Sequence, residues 1–170
     1  MYLTSSAPQS GAQSSFAAHF ANPLPRGLRE AGESASWEQF LDEYAAGPGA
    51  LKLGQWSCTD TVRSAGRLGP QARHYQATLA LGDTISTLTA AASGPIAALT
   101  EMLYAHGITV ETMSFHQLPV GGRTATFIEG CDGMHSEWAM GLDDDPERSA
   151  LHAVIACANR LMSNRFLATA

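Results

Sequence analysis

The sequence predicts an α+β domain made of two βββα units in pseudo-two-fold arrangement. Three extended segments followed by a helical stripe occur twice in succession, first over residues 50–107 and then over 108–163. Pro95 and Pro146 open the two stripes at equivalent places, and Leu99, Met102 and Leu103 recur as Leu151, Val154 and Ile155. Glycine-bearing turns separate the extended segments within each unit. One such unit buries too little to stand alone, whereas two can close a shared core.

The elements follow in order. Residues 1–22 are rich in Ser, Ala and Gln without periodicity, which predicts a disordered arm. Residues 23–49 read as a short helical linker. Leu24-Pro25-Arg26-Gly27-Leu28 makes a turn or short helix. Ser36 then precedes Trp37, Phe40, Leu41 and Tyr44, the i, i+3, i+4, i+7 stripe of an amphipathic helix that Gly47-Pro48-Gly49 ends. The domain proper spans 50–165. Its first unit places strands at about 50–62, 72–82 and 84–92, with Gly69-Pro70 and Gly82-Asp83 between them. Ile96, Leu99, Met102 and Leu103 then stripe a helix, with Pro95 at its first position and Gly107 at its stop. The second unit places strands at about 108–118, 123–130 and 135–142, turned by Gly121-Gly122 and Asp132-Gly133. Asp145-Pro146 opens a helix carrying Ala150, Leu151, Val154, Ile155, Ala158 and Leu161.

Composition narrows the function classes. Of 170 residues, 45% are hydrophobic and only 15% charged, so apolar surface is expected to be covered by another subunit unless Ser, Thr, Gly and Ala fill it. The 16 acidic residues outweigh the 10 basic ones, of which Lys52 is the only lysine. A net charge of -6 without a basic cluster gives no footprint for nucleic acid or an anionic membrane. No apolar run reaches the roughly 18 residues of a spanning helix. Cys58, Cys131 and Cys157 are odd in number and far apart, which predicts reduced thiols in a cytoplasm.

Catalytic patterns are sparse. There is no Gly-x-Ser-x-Gly elbow, P-loop or dinucleotide glycine fingerprint. His135-Ser136-Glu137 has the His-x-Glu spacing of a zinc deaminase but lacks the Pro-Cys-x-x-Cys that would complete the ligands. Asp143-Asp144-Asp145 invites a divalent cation, yet Asp145 stands where the cap of the Pro146 helix belongs, and its neighbours suit the helix dipole. No metal and no cofactor are therefore expected. His116, at the end of a strand, joins His135 and Asp144 as the candidates for acid/base work. The pocket candidate is Ala92-Ser93-Gly94-Pro95-Ile96, where a strand stops and helical N–H groups emerge, an arrangement that suits a carboxylate or phosphate.

At these residues a resemblance enters. Trp138-Ala139-Met140-Gly141-Leu142, Ser149-Ala150-Leu151-His152-Ala153-Val154 and Ala158-Asn159-Arg160 resemble the C-terminal end of actinobacterial 2-isopropylmalate synthases. Ser93-Gly94-Pro95-Ile96-Ala97-Ala98 resembles that family's Gly-Asn-Gly-Pro loop, with Ala92 replacing its first glycine. Leu24-Pro25-Arg26 and the stretch from Trp37 to Tyr44 look like the linker between catalytic barrel and regulatory domain. The resemblance covers about residues 23–163 and implies an allosteric, dimerising domain. It implies a homodimer that binds a leucine-like amino acid or a 2-oxo acid, with a separate synthase subunit as a further partner. By position, Gly94, Ile96, Ala97, Thr112, Phe115, Pro119 and Pro146 would line the ligand pocket. Two stretches depart from the pattern. The family's Asp-Tyr-x-x-His-Ala reads Ser114-Phe115-His116-Gln117-Leu118-Pro119, and its Ser-x-Asp-Ile-type loop has become Asp143-Asp144-Asp145-Pro146. The (β/α)₈ barrel, which needs about 250 residues, has no room here. Three readings follow: a stand-alone regulatory and dimerisation module, a small enzyme working in the former effector pocket, and an adaptor whose pocket has closed.

Overall fold

A computed structural model describes residues 14–45, 49–60 and 72–168. Two antiparallel three-stranded sheets carry the fold. Sheet one pairs β1 (Leu51–Cys58), β2 (Arg73–Leu81) and β3 (Thr84–Ala92) in that order, and sheet two pairs β4 (Glu111–Val120), β5 (Arg123–Cys131) and β6 (Ser136–Asp143). Each sheet is followed by a helix, Pro95–Ala105 after β3 and Pro146–Ala168 after β6. The doubled βββα architecture expected from the pattern is the one observed.

Boundaries shift where local hydrogen bonds compete. β1 stops at Cys58 rather than 62, and the Gly69-Pro70 turn lies outside the described residues, as does the Gly47-Pro48 part of the linker end. β4 starts at Glu111 rather than 108. The N–H of Gly107, in the left-handed region at φ +76°, and that of Ile108 close the preceding helix onto Tyr104 and Leu103, so this backbone is not free to pair. The last helix runs to Ala168. Its start matches the cap reading: Asp145 Oδ1 accepts from the N–H of Glu147 at 2.7 Å and of Arg148 at 3.1 Å.

The N-terminal segment differs most from expectation. Within the predicted arm, residues 16–19 form a 3₁₀ turn and Ser15 bridges to Ser36. Phe16 is fully buried; its ring stacks on Phe40 at 3.8 Å between centroids and meets Phe127 edge-on. The linker is likewise packed. It contains a 3₁₀ turn at Arg26–Leu28, α1 (Arg29–Ser34) and α2 (Trp37–Tyr44), which a Ser36–Gln39 capping box starts. We number the two later helices α3 (Pro95–Ala105) and α4 (Pro146–Ala168).

Two cores result. Phe16, Leu24, Leu28 and Phe40 cover one face of sheet two, against Val120, Ala125, Phe127 and Met140. The other core gathers Leu51, Tyr75, Ala77 and Leu79 of sheet one, Leu99, Met102 and Leu103 of α3, and Leu151, Val154, Ala158 and Leu161 of α4, and it also takes Ile128 and Ala139 from sheet two. Helix α4 is thus common to both units. Its approach to β6 depends on Gly141: a Cβ there would fall on the Ser149 carbonyl oxygen and stand 2.6 Å from the Ala153 nitrogen. Ser149 Oγ fastens α4 to sheet two, 3.2 Å from the Gly141 carbonyl of β6 and, on β5, 2.8 Å from the Thr124 carbonyl and 2.7 Å from Thr126 Oγ1.

Candidate functional site

The sequence ends β3 at Ala92 and starts α3 at Pro95, with Gly94 between them as an extended N-cap. Gly94 contributes no side-chain cap, and a Cβ on it would meet nothing within 4 Å. The first N–H groups of α3 therefore open onto a groove of about 730 Å³. Its near wall is the loop and outer face of α3: Ser93, Gly94, Pro95, Ile96, Ala97, Thr100, Glu101 and Tyr104. Its far wall is the entry to β4, Thr109, Val110, Glu111 and Thr112.

Three kinds of group face this space. The α3 N-terminus favours negative charge. Glu101 and Glu111 supply carboxylates for a cation, and Ile96, Val110 and Tyr104 supply apolar surface. Thr112 Oγ1 is buried and has no hydrogen-bond partner. An unpaired hydroxyl of this kind costs about 1–3 kcal/mol unless something outside the chain satisfies it.

Of the residues expected to line a pocket, the groove brings together Gly94, Ile96, Ala97 and Thr112. Phe115, Pro119 and Pro146 are not in its walls. Phe115 lies further along β4, opposite Ile128 and 43% exposed. Pro119 is paired with Thr124, and the Pro146 carbonyl accepts from Gln117 Nε2 at 2.9 Å. Thr100, Glu101, Tyr104, Glu111 and their neighbours went unnoticed in the sequence. The signal was available on the helix: Ala97, Glu101 and Tyr104 are spaced i, i+4, i+7, one face of α3.

The acid/base candidates occupy separate settings. His116 is exposed on β4, with its ring 6.3 Å from that of Trp138. The N–H of His135 donates to Asp132 Oδ1 at 2.8 Å, and its ring Nδ1 stands 3.9 Å from the same oxygen. The Asp144 side chain is 89% exposed and 3.5 Å from Arg123 Nε. Asp132 itself is buried and held down to a pKa of about 2 by the N–H groups of His135 and Met134 and by Arg165. Asp143 accepts from the Asp145 N–H, and among the described residues no three His, Cys, Asp or Glu side chains gather in a metal-binding group. Burial pushes the Cys157 thiol up to about 12, which makes it a poor nucleophile. Among the described residues no helix is long and apolar enough to cross a membrane.

No family model matches the chain. Among curated proteins it is 32% identical over 133 residues to the 2-isopropylmalate synthase of Arthrobacter sp. (strain FB24), covering 73% of this chain and 22% of that protein. It is 30% identical over 141 residues to the 2-isopropylmalate synthase of Leifsonia xyli subsp. xyli (strain CTCB07), covering 77% and 24%. It is 30% identical over 142 residues to that of Clavibacter sepedonicus, again covering 77% and 24%. The matched part is thus less than a quarter of the length of these relatives, and the chain resembles their C-terminal regulatory domain.

Proposed function

We propose that this relative of one part of the 2-isopropylmalate synthases is a regulatory, small-molecule-binding domain whose effector site is the groove between α3 and β4. The observation that carries the reading is that Thr112, whose hydroxyl has no partner, lines the same groove as the uncapped N-terminus of α3. A ligand carboxylate would lie at that N-terminus and accept from Thr112, and Glu101 or Glu111 would hold an ammonium group. This pairing of poles favours an amino acid with a short aliphatic side chain over a 2-oxo acid. Tyr104 and Met113, 70% and 60% exposed, rim the groove or lie next to it on β4, and Phe115 follows on the same strand. That apolar rim supports a homodimer in which a second copy covers the ligand. The regulated partner would be a separate synthase subunit.

Titration calorimetry with L-leucine, L-valine and 2-oxo-4-methylpentanoate tests the assignment. Saturable heat with an amino acid, lost in Thr112→Val, is the expected result. No heat with any of the three would end the reading.

A further inference from the structure

We propose a second ligand site at the seam between the two sheets, a cleft that takes a small carboxylate with an aliphatic body. The inference stands independently of the α3–β4 groove. Strands β1 and β6 are edges of separate sheets and are not hydrogen-bonded to each other. Both rest on α4, drawn to it at two points: Asn159 holds Leu51 of β1, and Gly141 of β6 admits the helix backbone. Between these fastenings the seam stays open as a cavity of about 580 Å³, within the range of small-molecule sites. Leu53, Leu142 and Ile155 are among its apolar lining, and Leu41 of α2 and Ala45 just after it close the wall.

Its polar lining is basic. Lys52, the only lysine of the chain, lines the cleft together with Arg123 and His152, and no acidic side chain does. Arg123 and His152 already have acidic neighbours, Asp144 at 3.5 Å and Asp143 at 3.8 Å. Lys52 makes no ion pair among the described residues. Antiparallel alternation also turns the main-chain N–H of Leu53 to the same edge as that of Leu51, away from β2 and towards the seam. In a chain of net charge -6, an unpaired lysine at the mouth of apolar walls, with Arg123 beside it, fits an anionic head on a hydrocarbon tail. Lys52 recognises the carboxylate, Arg123 and His152 border it, and the leucines take the tail.

The test is an ¹H–¹⁵N titration of the full chain at low ionic strength with 4-methylpentanoate, with neutral 4-methylpentanamide, and with Lys52→Glu. Saturable shifts of the amides at 51–53, 141–142 and 152–155 are expected with the acid. Affinity should fall about fivefold or more with the amide or in Lys52→Glu, and fall with added salt. Lys52 is exposed, so the variant keeps the parent spectrum elsewhere. No saturable shift along the seam, or equal shifts with acid, amide and variant, overturns the proposal. Shifts confined to 93–97 and 109–112 also overturn it, while leaving the α3–β4 groove as the effector site.

Discussion

Asn159 and Leu51 are joined by both ends of one carboxamide. Leu51 N–H donates to Asn159 Oδ1 at 3.0 Å, and Asn159 Nδ2 donates to the Leu51 carbonyl at 2.9 Å, across 108 residues of sequence. The side chain thus takes the place of a neighbouring strand and satisfies the edge of β1 where no strand pairs with it. Asn159→Ala leaves a buried N–H and a buried carbonyl unpaired, at a cost of about 1–3 kcal/mol each. For a chain of this size each kcal/mol lowers Tm by about 2–4 °C. Calorimetry should therefore show a fall of several degrees. Asn159→Asp should be no better than Ala, because its second oxygen faces the Leu51 carbonyl.

Gly141→Ala is expected to abolish folding rather than weaken it. The new methyl group meets the Ser149 carbonyl oxygen and the Ala153 nitrogen, and main-chain atoms cannot swing aside as a side chain can. Circular dichroism of the variant should show loss of cooperative melting. Gly94→Ala meets no atom and should melt with the parent protein.

Acid should loosen the end of α4. Asp132 receives the N–H of Met134 and His135 and the Nε of Arg165, all between 2.8 and 2.9 Å. Its folded pKa, about 2, lies below the ordinary carboxylate value, so its contribution is complete above about pH 4 and is lost as pH falls from about 4 towards 2. Tm followed from pH 5 to pH 2 should drop less steeply in Asp132→Asn than in the parent, because that variant has no carboxylate left to protonate. Equal slopes would show that Asp132 is not the group responsible.

Thiol reactivity should split by burial. Cys58 is exposed and should react first with a disulfide reagent at pH 8. Cys157 is buried, its thiol is pushed up to about 12, and its Sγ lies 3.6 Å from the Glu137 carbonyl. It should label only when denaturant opens the core. Labelling of Cys157 on the timescale of Cys58 in the native protein would contradict the packing of α4.

What could be read from the sequence was local. The strands of sheet two and both proline-led helices announce themselves by alternation, by turn glycines and by the Asp145 cap. Phe16 did not, because its Ser- and Ala-rich neighbours conceal a single aromatic ring whose partners, Phe40 and Phe127, lie far along the chain. The groove was half legible: the Ser93–Ala97 loop reads as a helix start, whereas Glu101, Tyr104 and Glu111 join it only through the packing of α3 beside β4. The seam cleft left no trace. Lys52, Arg123 and His152 are isolated in sequence, and α4 alone brings them into one place.

Helix α4 supplies Leu151, Val154 and Leu161 to a core that also contains most of the first unit's inward side chains. During synthesis that unit emerges from the ribosome before α4 does. The first three strands can pack on α3 at once, but the part of the core that Leu151, Val154 and Leu161 fill stays open until α4 has been made. Domain formation is a late and all-or-none event, and an interrupted translation product that stops short of Pro146 has no half-domain to fall back on.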